Sequence, residues 1–156
     1  MVMFLLALAA AAQTVPPGED PVAPYAQHDA NAGAVPFEGQ TMLRAFHGRV
    51  GIDRMTDDFV ARLVADKRIA DIFKAQDIVR LRRLLKEQFC YILVGGCAYT
   101  GRTMRDSHKD LGIQAADMGA LVEDLQGTMR KEGVPFSAQN RFLAKLAPMK
   151  RDAVQR

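Results

Sequence analysis

With 156 residues and a mass of 17.2 kDa, the chain has room for one ordinary domain, which excludes a two-domain enzyme carrying its own cofactor module. Its 49% hydrophobic, 25% charged and 7% aromatic residues exclude collagen-like and wholly disordered chains. The net charge of +3 is unevenly placed: residues 1–40 hold four acids (Glu19, Asp20, Asp29, Glu38) and no Lys or Arg, leaving 21 basic against 14 acidic residues, or +7, beyond them.

The first segment, Phe4 to Ala12, reads FLLALAAAA, the apolar core and small residues of a secretory signal over residues 1–12, so export to the periplasm is the expectation and the cytoplasm its alternative. The run ends at Gln13, Thr14 and two prolines, too short for a membrane span. Residues 13–40, rich in Pro, Ala, Asp and Gly without periodicity, predict a flexible leader with no fixed structure. From Thr41 the pattern turns helical. Ile52, Met55, Phe59, Val60 and Leu63 recur at spacings of three and four, with Asp57, Asp58 and Arg62 on the other side.

A second apolar stripe, Leu81, Leu84, Leu85, Gln88, Phe89, Ile92 and Leu93, stops at Gly95-Gly96, where glycine suits the left-handed conformation that ends helices. Thr103 then caps a short helix with Asp106 three residues on, closed by Gly112. Met118, Leu121, Val122, Leu125 and Met129 mark a further helix ending at Gly133-Val134-Pro135, and a last one starts at Ser137 with Phe142, Leu143 and Leu146. Strand alternation is missing, so the reading is one all-α domain over 41–150 with five or more helices and a tail at 151–156. The basic excess is spread over these helices, with no run of five cations and no interleaved aromatics. That argues for solubility and against a nucleic-acid partner.

Of the three histidines, His28, His47 and His108, only His108 lies on an inward stripe, with Met104 and Leu111 at i−4 and i+3. An imidazole on an apolar helical face suits a metal ligand, haem iron included, whereas its charged neighbours Arg105, Asp106, Lys109 and Asp110 suit a surface residue. Spacing leaves both open. Cys90 and Cys97 lack zinc-ribbon spacing and straddle the glycine pair, where a disulfide is open as well.

The stretch Tyr99 to Ile113, YTGRTMRDSHKDLGI, resembles the proximal region of the group I truncated haemoglobins. Asp58 to Asp66 (DFVARLVAD), Arg68-Ile69, Phe73, Gly95-Gly96 and Gly133-Val134-Pro135 follow the same order over about residues 41–150. The resemblance implies a two-on-two helical sandwich enclosing haem b, with His108 as proximal iron ligand, Phe73 packed on the porphyrin and Phe89 lining the far side. It also implies Arg82, Arg102 and Lys109 near the propionates, and Ile113, Met118, Val122 and Met104 as apolar lining. Val60 stands where many relatives carry a tyrosine that donates to the bound gas.

One residue more than in typical relatives separates Phe73 from Phe89. Counting back from Phe89 places Arg82 at the pocket mouth and Lys86 over the iron; counting forward from Phe73 places Leu81 and Leu85 there. The backward count is preferred, because loops absorb insertions, and Lys86 would then donate to a ligand, coordinate iron, or merely extend to a propionate or water. The function implied is reversible binding of dioxygen, nitric oxide and carbon monoxide, with nitric oxide dioxygenation supported by an unidentified reductase. The alternatives are a redox or peroxidase-type haem enzyme and a haem-free helical interaction module.

Overall fold

The computed structural model describes residues 13–155; the expected signal segment lies outside the described residues. Eight helices follow one another: α1 Thr41–Ala45, α2 Gly48–Ala65, α3 Ala70–Phe73, α4 Ile78–Ile92, α5 Met104–His108, α6 Ala115–Lys131, α7 Phe136–Leu146 and α8 Lys150–Ala153. No strand occurs among the described residues. The starts are written in side-chain chemistry. Asp77 accepts from the Arg80 N–H at α4, Thr103 Oγ1 accepts from the Asp106 N–H at α5, and Gln114 with Asp117 forms a capping box at α6.

Helix α2 packs on both α4 and α6, and α6 carries α7, which makes a sandwich of two helix pairs. Its centre is aromatic: Phe142 meets Phe46 at 5.1 Å and Phe89 at 5.2 Å between ring centroids, both edge-on, and Phe59 lies 6.2 Å from Phe89. Two buried hydroxyls find backbone acceptors, Thr56 on Ile52 and Thr128 on Met55, the second tying α6 to α2. At Gly51 a Cβ would stand 2.1 Å from the Phe46 carbonyl oxygen, so only glycine lets α2 pass the end of α1.

The flexible leader expected at 13–40 is corrected: the segment is a strap across α4 and the loop behind it. The Glu19 side chain, 1% exposed, bonds Arg80 and Arg83. Tyr25 donates to the Thr100 carbonyl, Asp29 accepts from the Tyr99 N–H at 2.8 Å, and Ala32 is fully buried and accepts from Gln88. A Pro-rich composition leaves this segment only one short 3-10 turn, Asp29–Ala32, but does not prevent docking when a charge finds buried partners. The C-terminal tail is docked as well, since Ala153 is buried and Gln155 is hydrogen-bonded to Ile113, Gly112 and His108.

The end of α4 also differs from expectation. The helix stops at Ile92, and the left-handed position after it is Val94, at φ 63°, followed by Gly96 at φ 79°. A β-branched residue there is a true outlier. The irregular backbone therefore follows α4, whose start is fixed by the Asp77 cap.

Candidate functional site

His108 ends α5, and its ring is held at one nitrogen. Nδ1 lies 2.6 Å from the Met104 carbonyl oxygen one turn back. A carbonyl only accepts, so Nδ1 carries the proton and Nε2 keeps its lone pair, the tautomer a metal-ligating imidazole needs. From the C-terminal tail, Gln155 Nε2 donates to the His108 carbonyl at 3.0 Å and fixes the helix end. The imidazole is half-buried. Sequence reading missed Gln155, because its value comes from the return of the tail to α5 and no local pattern marks it.

Around the rest of the site the structure places Met104 and Ile113 as buried and Phe73, Met118 and Val122 as half-buried. Met104 packs with Ala32 and Tyr99 and receives a contact from Gln88 Nε2 at 3.4 Å. Val60 is fully buried on α2, and Phe89 sits in the aromatic centre. Apolar side chains on α3, α4 and α6 (Phe73, Leu81, Leu85, Met118 and Val122) thus remain partly uncovered. An imidazole with one unengaged nitrogen, in a fold that also leaves apolar side chains uncovered, is a donor set that suits a flat, largely apolar metal macrocycle.

Along α4 the described side chains take up two kinds of contact. Leu85 packs against the core, whereas Lys86 turns to Asp57, 2.9 and 3.0 Å from its two carboxylate oxygens, and Arg82 reaches the same carboxylate at 3.3 Å. With α4 starting at the Asp77 cap, the interior stripe runs through Leu85 and Phe89, and the cations fall on its flank. Arg102 also departs from its expected place: its guanidinium lies 5.1 Å from the Tyr25 ring centroid and donates to the Ala23 carbonyl, so it serves the strap. Lys109 is exposed next to His108. Cys90 and Cys97 are joined, with 5.7 Å between their Cα atoms.

Comparison with known proteins agrees with this geometry. The family model for bacterial-like globins matches residues 41–155. The group 1 truncated hemoglobin GlbN of Synechocystis sp. is 32% identical over 99 residues, 61% of this chain and 80% of that protein. The group 1 truncated hemoglobin of Tetrahymena pyriformis is 25% identical over 101 residues, 65% of this chain and 84% of that protein. Among solved structures, the Fe(III) truncated hemoglobin of Tetrahymena pyriformis superposes with a TM-score of 0.71 at 22% identity, covering 75% of this chain and all of that one. The 2/2 hemoglobin of Synechococcus sp. PCC 7002, in the cyanomet state with covalently attached heme, gives 0.68 at 21% identity over 74% of this chain and 98% of that one.

Proposed function

The chain belongs to the bacterial-like globins, alongside the group 1 truncated haemoglobins, and from that membership we propose that it holds haem b through His108 and reversibly binds dioxygen, nitric oxide and carbon monoxide. The observation that carries the reading is the His108 ring, its Nδ1 engaged by the Met104 carbonyl and its Nε2 left to bind metal. Haem, held by His108, would supply an iron centre able to bind diatomic gases and to support oxidation of nitric oxide to nitrate by dioxygen, given electrons from a reductase. We assign that dioxygenation to the chain as its chemistry, with the reductase as partner.

The chain's own residues divide the work. Phe73, Ile113, Met118 and Val122 supply apolar contact and exclude water from the macrocycle, while Met104 packs behind α5. Lys109 is the cation left to meet a propionate, since Arg82 and Arg102 are engaged elsewhere. On the side away from His108, Val60 and Leu85 offer no hydrogen-bond donor, and Asp57 keeps Lys86 aside. Dioxygen gains more than carbon monoxide from such a donor, because it draws more charge from the iron. The pocket therefore holds dioxygen briefly and favours nitric oxide and carbon monoxide.

The test is haem uptake. The wild-type chain titrated with haemin is expected to develop a Soret band, and His108→Ala is expected to lose it; a wild type that stays colourless, or an unchanged His108→Ala spectrum, rejects the proposal. Export is proposed with it. The joined cysteines suit an oxidising compartment, and N-terminal sequencing of the protein from a periplasmic extract is expected to begin at Gln13.

A further inference from the structure

Between α2 and α4 the surface opens into a groove of about 420 Å³ that does not include His108. The Cys90–Cys97 bridge lines it. Cys90 is 3% exposed and Cys97 is half-buried, so Cys97 is the more accessible end of the bridge. The bridge joins residues seven apart, a short crosslink that restrains the unfolded chain less than a long one would.

The groove carries four cations, Arg49, Arg82, Arg83 and Lys86, against the carboxylates of Asp53 and Glu87. Three of the cations are engaged: Arg82 and Lys86 by Asp57, and Arg83 by Glu19 and Glu87. Arg49 pairs with no carboxylate among the described residues. Its side chain borders the bridge, because a Cβ placed on Gly95 would lie 3.3 Å from Arg49 Cγ and 2.6 Å from Cys90 Sγ. An arginine with no carboxylate partner among the described residues, its side chain bordering a disulfide that lines the groove, favours both the approach of an anionic thiol and the negative charge that develops on sulfur during exchange.

We propose that the Cys90–Cys97 bridge is a thiol-exchange site whose partner is a small carboxylate-bearing thiol, drawn into the groove by Arg49. The thiolate sulfur of the partner bonds to Cys97 Sγ, the Cys90–Cys97 bond breaks, and its electron pair leaves on Cys90 Sγ as a thiolate. A second thiol molecule then attacks the mixed disulfide at its own kind's sulfur. Two small thiols are thereby oxidised to one disulfide, and the protein gains two electrons and two protons. The site is independent of haem and goes beyond the gas-binding reading.

The experiment follows opening of the bridge in the native, purified chain by mercaptopropionate and by neutral mercaptoethanol, each rate divided by its thiolate fraction, with the first adduct located by mass spectrometry. The expected result is a faster anionic reaction, an adduct on Cys97, and an anionic-to-neutral ratio that falls about tenfold in Arg49→Glu and likewise in about 1 M salt. Arg49→Gln, which adds no repulsion, should fall between. A ratio near one, a ratio indifferent to Arg49→Glu in a variant with unchanged circular dichroism, an adduct on Cys90, or a bridge that opens only in denaturant overturns the proposal.

Discussion

Under the proposed gas-binding function, one position, Val60, is expected to set how firmly dioxygen is held. Val60 is wholly buried and aliphatic, so restoring a phenol there tests the donor-poor pocket directly. Val60→Tyr is expected to slow dioxygen release about tenfold, the worth of one hydrogen bond to a partly charged acceptor, while carbon monoxide release changes little. Stopped-flow displacement of each gas reads both, and equal slowing of the two would show that the effect is steric. The added ring also crowds the α2 face, at a cost of about 1–3 kcal/mol in stability. The resemblance singles out His108 and Val60 in the sequence, whereas helical spacing alone leaves His108 between a ligand and a surface residue. The contact of Lys86 with Asp57 was not legible, since counting from Phe73 and from Phe89 gives different registers and its partner lies on another helix 29 residues away.

Helices α2 and α6 are joined by charge as well as by packing. Burial, the largest single influence on Asp58, pushes its carboxyl up, but hydrogen bonds from Lys131, Arg62 and Thr128 outweigh it and hold the group at about 2. Arg68 does the same for Asp66, also at about 2. Both values lie below the ordinary carboxylate value, so their contribution is complete above about pH 4 and is lost as pH falls towards 2. Asp124 acts in the opposite sense. Burial, and then the Asp66 charge, push it up, and its buried Oδ2 has no hydrogen-bond partner among the described residues. Its own contribution is therefore present in acid and fades as pH rises. Asp58→Asn should cost about 1 kcal/mol near neutral pH and almost nothing near pH 2, after allowance for solvent screening. Urea unfolding across that range checks it, and a cost independent of pH would refute the charge argument. The helices themselves were readable from their apolar stripes, but this pairing was not, because Asp58 and Lys131 are 73 residues apart.

The strap makes the molecule more than a two-pair sandwich. Glu19 looks like a solvated charge in a Pro-rich stretch, and only the fold brings Arg80 and Arg83, 61 and 64 residues on, to its carboxylate. The Arg83 guanidinium holds the Glu19 carboxyl below its ordinary value despite burial. Glu19→Ala should therefore cost about 1–2 kcal/mol by urea unfolding, since it removes the buried acceptor shared by Arg80 and Arg83 and leaves them the Asp20 carbonyl and the Glu87 carboxylate. Amide exchange should accelerate around residues 29–32 and 99–101 while the α2 and α6 amides stay protected. Loss of protection throughout would instead make the strap part of the cooperative core. Composition described the covalent character of residues 13–40 correctly and their docking wrongly, since long-range pairs leave no local trace. The docking also sets an order of events. Asp20 meets Asp77 and Ala23 meets Arg102 across 57 and 79 residues, so the part of the chain that leaves the ribosome first must wait for the part made much later. Nascent chains stalled before Arg102 emerges should leave the strap open to protease, and full release should close it.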